Sequence, residues 1–256
     1  TGTLIPSSIP TPSRTSTPTK TPTPVPTHIP TQTPTPVTQN KFLLSGTLCT
    51  INYQLIPQSE GVARRLLNLC GSDAPKLEAK FGRGPNAPPY TIKFYTPRVE
   101  DHGTGADLRA YEDGSGTVIL STDWWQAEFP YDAKILAHEL THVIQSFYGY
   151  NTPEYPGWLV EALADYGAYA AGYSNDLEKD CYHFSNPRQV HVFNCTYKFL
   201  KFVERKYDPQ TSFKLHKALQ SGTYSDNLFV QYTGKTYDQL ISECSQDFDC
   251  GGVDSL

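Results

Sequence analysis

The stretch AKILAHELTHVIQSF, residues 133–147, sets two histidines four positions apart, with a glutamate directly after the first. On an α-helix, residues four apart differ by only about 40° around the axis. His138 and His142 therefore project from one face, one turn apart, and their imidazoles can share a metal ion at about 2 Å. Glu139 lies about 100° further round. That puts it beside such an ion and not on it, where it can take a proton from an attacking water. This is the H-E-x-x-H pattern of zinc-dependent hydrolases.

A catalytic zinc needs a third protein ligand and one open position. PGWLVEALADYGAYA, residues 156–170, offers Glu161 on a helical pattern, with Asp165 one turn beyond. Glu161 is the expected third ligand. Asp165 is expected to accept a hydrogen bond from the free ring nitrogen of a ligand histidine and so fix its tautomer. The reverse assignment, with Asp165 as ligand, is the lesser alternative. A buried amphipathic helix with no metal would account for Ala137, Leu140, Val143 and Ile144. It would not account for His138, Glu139 and His142, because buried ionisable groups cost several kcal/mol unless paired.

These two helices, about 131–147 and 157–171, need a scaffold. GVARRLLNLCG (61–71) lines up Val62, Leu66, Leu67 and Cys70 as a helical face, with Gly71 as the stop. YTIKFYT (90–96) alternates like a strand. ADLRAYEDGSGTVILST (106–122) reads as two strands around an Asp-Gly turn. A helix follows in CTYKFLKFVERKY. Asp208-Pro209 then cap and open another that ends near Gly222. TYDQ (236–239) has the form of a capping box for the last helix. Strands come first and helices later, which predicts an α+β domain in two layers.

The remaining composition sets limits. Residues 1–38 hold ten prolines, thirteen threonines and no acidic residue. Residues 1–40 are read as a disordered, extended linker or stalk of the kind often O-glycosylated on exported proteins. Residues 41–256 are read as one catalytic domain. Beyond Arg14 and Lys20, the chain carries 19 basic and 26 acidic side chains, a net of −7. That argues against nucleic acid or anionic membrane as the main partner. No apolar run approaches membrane-spanning length. The chain lacks methionine, so a trimmed signal peptide is expected. Six cysteines without a Cys-x-x-Cys pair suggest disulfides in an oxidising compartment. Neighbour pairing predicts 49–70, 181–195 and 244–250. The sequon at 194–196 would be hindered by a bridged Cys195. DHGTGAD (101–107) and SNDLEKD (174–180) lack calcium-loop spacing and read as turns. His183 reads as surface or structural.

HELTHVIQ, PGWLVEALADY and YSDNLFVQYTGKTYDQL resemble the basic secretory proteins of plants and bacteria, a gluzincin-type peptidase family. The likeness runs from about residue 50 to 248. It implies a zincin-like metallopeptidase domain: a small mixed sheet on the active-site helix and a mainly helical C-terminal half. It implies one catalytic Zn2+ held by His138, His142 and Glu161, with Glu139 as general base. Three departures stand out. The chain is acidic, Ala162 replaces the glycine usual after the third ligand, and Phe193 stands where the family tends to carry a tyrosine. His191, Tyr197 and Tyr224 are the substitutes considered for stabilising an oxyanion.

In zincins an upper edge strand precedes the active helix. Val118, Ile119, Leu120 and Ser121 are expected to form it, their backbone groups free to pair with an extended substrate. Trp124 and Trp125 line a subsite or pack in the core. The expected protein is a monomeric zinc metalloendopeptidase acting on peptides, secreted either free or tethered to the cell surface. An aminopeptidase, a glycopeptidase and a non-catalytic binding or defence protein on the same fold are the rivals.

Overall fold

Two antiparallel strands, β1 (Leu43–Ser45) and β2 (Cys49–Asn52), open the described chain. The computed structural model describes residues 41–83, 90–95, 99–100, 107–108, 110–112, 115–121, 133–145, 156–173, 186, 188, 196–247 and 250. All belong to one unit, Gln39–Leu256. After β2 a single 3-10 turn leads into helix α1 (Glu60–Phe81). α1 carries the chain over to β3 (Tyr90–Tyr95), which pairs parallel with β2. A two-stranded ribbon, β4 (Val99–Glu100) and β5 (Asp107–Leu108), stands apart. The hairpin of β6 (Ala110–Glu112) and β7 (Thr117–Ser121) completes a five-stranded sheet in the order β1-β2-β3-β7-β6.

This order corrects one expectation. Val118–Ser121 is not a free edge. β7 is paired on both sides, parallel to β3 with Tyr95 opposite Ser121, and antiparallel to β6 with Ala110 opposite Leu120. The hairpin folds β6 back over the outer side of β7, so the edge passes to Ala110–Glu112. Thr117 to Leu120 are all buried, the run expected of a strand covered on both faces.

Helices fill the rest: α2 (Ala133–Gln145), α3 (Gly157–Ala171), α4 (Thr196–Lys206), α5 (Thr211–Gln220), α6 (Asn227–Thr233) and α7 (Tyr237–Cys244). The α+β class holds, with helix α1 inserted between strands. α1 also runs past Gly71, the expected stop, and through Pro75. Its buried stripe continues through Cys70, Ala74, Leu77 and Phe81. That burial outweighs the one amide bond proline removes. The carbonyl left without that bond belongs to Gly71, which is exposed to water. The helix ends at Gly82, φ 68°, whose N–H donates to the Glu78 carbonyl. Asp208 and Pro209 form a turn ahead of α5 and not its cap; the Asp208 carbonyl accepts from Thr211 N–H. The Thr236 capping box forms as expected, with Gln239 donating N–H to Thr236 and accepting its amide in return.

The core joins both layers: Ile51, Ile92, Phe94, Val118 and Leu120 from the sheet meet Leu66, Leu77, Leu136 and Leu140 from helices. Glu204 of α4 is a buried polar junction. It accepts from Tyr166 of α3 at 2.7 Å, pairs with Lys80 of α1 at 2.7 Å and accepts the Ser212 amide of α5 at 2.9 Å. Disulfides Cys49–Cys70 and Cys244–Cys250 form as expected. Cys181 and Cys195 lie outside the described residues. No helix among the described residues is long and apolar enough to cross a membrane.

Candidate metal centre

α2 packs against β6 and β7 on one side and α3 on the other. Its apolar stripe, Leu136, Leu140, Val143 and Ile144, is buried. The opposing stripe carries His138 and His142, which therefore face α3. α3 begins after Pro156, whose carbonyl accepts the Leu159 and Val160 amides, and ends at Gly172, φ 112°. The two helices meet closely because residue 167 is glycine. A Cβ there would fall 2.1 Å from Thr141 Oγ1.

That approach brings three donors together. The Nε2 atoms of His138 and His142 lie 3.1 Å apart. Glu161 Oε2 lies 3.2 Å from the first and 3.5 Å from the second. One ligand atom from each of the three residues falls within 4.8 Å of the others, so the group could hold a metal ion. Asp165 does not join the triplet. Its Oδ1 sits 2.8 Å from His138 Nδ1, on the far side of the ring, and its Oδ2 accepts from Thr196 Oγ1 at 3.3 Å. A carboxylate only accepts, so His138 carries its proton on Nδ1 and turns the Nε2 lone pair inward. Glu161, and not Asp165, thus shares the point on which the two Nε2 atoms converge, while Asp165 holds His138 from behind.

The electrostatics fit a cation. Burial opposes protonation of His138, but hydrogen bonds from Asp165 and Glu161 outweigh it and hold the imidazole well above 6.5. Burial likewise opposes protonation of His142, and the Glu161 charge overrides it. Burial pushes the Glu161 carboxyl up, yet the two histidines pull it far below the usual range. Protons are thus drawn strongly to the point where three acceptor atoms converge, and a divalent ion supplies the same positive charge there. Glu139, 7 % exposed, stands outside the triplet. Burial raises its pKa first, opposed by the two histidines, and the Glu161 and Glu112 charges raise it further. Glu112 is the last residue of β6, a strand that packs against α2.

The other candidates are placed differently. Tyr197 is fully buried and stacks on Tyr169 at 5.5 Å. Tyr224 donates its hydroxyl to Asp226, which also binds Arg188. His191, Phe193, Trp124, Trp125, His183 and residues 174–180 lie outside the described residues. One site residue had no expected role. Gln145 accepts from His142 Nδ1 at 2.6 Å and donates to the Val160 carbonyl at 2.9 Å. Its spacing of three from His142, on the same helix face, was the only signal for it.

Residues 95–244, more than half of the chain, match the family of peptidases of plants and bacteria, and the protein belongs to that family, the basic secretory proteins its motifs resemble. No curated protein matches the chain.

Proposed function

We propose that the protein is a secreted zinc-dependent metalloendopeptidase with a zincin-like catalytic domain. The convergence of His138 Nε2, His142 Nε2 and Glu161 Oε2 on one point carries this reading. These three side chains would hold the ion. When bound, zinc supplies Lewis acidity toward a water and a scissile carbonyl. Glu139 is placed to accept the proton of the attacking water and return it to the leaving amine. Asp165 orients His138 through Nδ1. The outer side of β6 offers backbone groups to which an extended peptide can add as a further strand. Two disulfides favour an oxidising, extracellular setting.

The test is metal content and cleavage in the full chain, wild type beside Glu139→Gln, on an unfolded protein and an end-labelled peptide library. Equal zinc uptake by both, with internal cuts by the wild type alone, is the expected result. End-trimming would make it an aminopeptidase, and cutting of sugar-bearing peptides alone a glycopeptidase. Zinc with no cutting would favour a binding role. No zinc in either protein would overturn the metal site.

A further inference from the structure

The two histidines are supported unequally. His138 rests on a carboxylate, His142 on the amide of Gln145. An amide is ambiguous, because its oxygen accepts and its nitrogen donates. Here the backbone resolves it. Val160 presents a carbonyl, which only accepts, 2.9 Å from Gln145 Nε2. The amide nitrogen must point there, so Oε1 faces His142 and the imidazole must donate from Nδ1. His142 Nε2 is then left with its lone pair, 3.1 Å from that of His138. Gln145 is 1 % exposed, so water cannot take over its role.

We infer that Gln145 is a positioning residue for the second metal ligand: it fixes the His142 tautomer and ties α2 to the α3 backbone one residue before Glu161. The amide therefore sets two things at once, the lone pair that His142 offers and the separation of the ligand-bearing helices at this end of the site. Gly167 against Thr141 sets that separation further along α3. This inference rests on the metal reading above, and its test separates the two.

Two variants divide the roles. Gln145→Leu removes both hydrogen bonds. Gln145→Glu loses the donor to Val160 but keeps an acceptor for His142 Nδ1–H. Zinc affinity by chelator competition should fall about 10–100-fold in Gln145→Leu, the usual effect of removing such a partner, and recover most of that loss in Gln145→Glu. NMR of the zinc-loaded full chain should show a slowly exchanging His142 Nδ1 proton in the wild type and Gln145→Glu, and its loss in Gln145→Leu. Urea midpoints, recorded for all three, separate a loss of ligand orientation from a loss of folding. Unchanged affinity and an unchanged His142 signal in folded Gln145→Leu would overturn the inference. If no protein takes up zinc, the metal reading falls. The clamp is then decided in metal-free protein by the same signal: protection in the wild type with loss in Gln145→Leu supports it, and equal exchange in both overturns it.

Discussion

Gly167 of α3 lies so close to Thr141 of α2 that a methyl group on it would sit 2.1 Å from Oγ1 and 3.0 Å from both carbons of the threonine side chain. Helices this near cannot take up a Cβ without moving apart. Gly167→Ala should cost about 1–3 kcal/mol, as overpacking does, and should weaken metal binding because Glu161 and Asp165 move with α3. Thr141→Ala removes the worst contact but leaves the one at 3.0 Å, so the double variant should recover only part of both losses. Urea unfolding and chelator competition on the four proteins would measure this; simple additivity would argue against the contact as the cause.

Glu161, partly buried, and Asp165, buried, are carboxylates one turn apart, yet their substitutions should differ in kind. Asp165→Asn keeps the shape beside His138 but gives up the charge that fixes its tautomer, and zinc affinity should drop about 10–100-fold. Glu161→Gln replaces the anionic oxygen of the triplet by a neutral amide and should drop it further. Parallel zinc titrations give the order, and a greater loss in Asp165→Asn would exchange the two roles.

His216 of α5 is buried against Phe81, with ring centroids 5.2 Å apart. Burial pushes its pKa down to about 3 from 6.5, with the Lys217 charge adding to the shift. The unfolded chain therefore binds this proton below pH 6.5 while the folded protein does not, and stability must fall as pH drops through that window, levelling off near pH 3. Between pH 7 and pH 5 this one residue should cost about 2 kcal/mol. His216→Asn should lose less stability than the wild type over the same interval in urea unfolding. Parallel losses would place the acid sensitivity elsewhere.

The Cys49–Cys70 bond joins β2 to α1 across 21 residues. Replacing both cysteines by serine should lower stability by about 3 kcal/mol, the usual scale for a loop of this size. It should leave zinc affinity intact, since neither element carries a ligand. Loss of zinc binding at denaturant-free conditions would show that the sheet's far side governs the site.

The two helices of the candidate site were legible because their signals are local. The four-residue spacing of His138 and His142, and the acidic turn of Glu161 and Asp165, need only the helical repeat to be read. The antiparallel pairing of Ala110–Glu112 with Thr117–Ser121 and the Thr236 capping box were legible for the same reason, but the first expected strand is split, since Asp107–Leu108 pairs with Val99–Glu100 instead. The edge of the sheet was not, since strand order depends on which partners β7 finds, and both flanks of Val118–Ser121 were taken. Gly71 and Pro75 are strong local stops, but a buried stripe running to Phe81 overrode them. Gln145 left only its spacing of three from His142 to read, because its second partner is a backbone carbonyl, which every residue possesses. Gly167 reads as helix-weakening until the threonine opposite it is known.

Glu204 touches α1, α3 and α5 from its seat on α4. No one of these helices can open without stripping that carboxylate of a partner in a dry interior. Their amides should therefore exchange with deuterium as one cooperative block, with nearly equal opening energies. Asp165 is the neighbour of Tyr166, which holds Glu204 on α3. The end of the candidate site around Asp165 thus borrows its persistence from a junction that ties α3 to α1, α4 and α5, none of which contributes to the His138, His142 and Glu161 group.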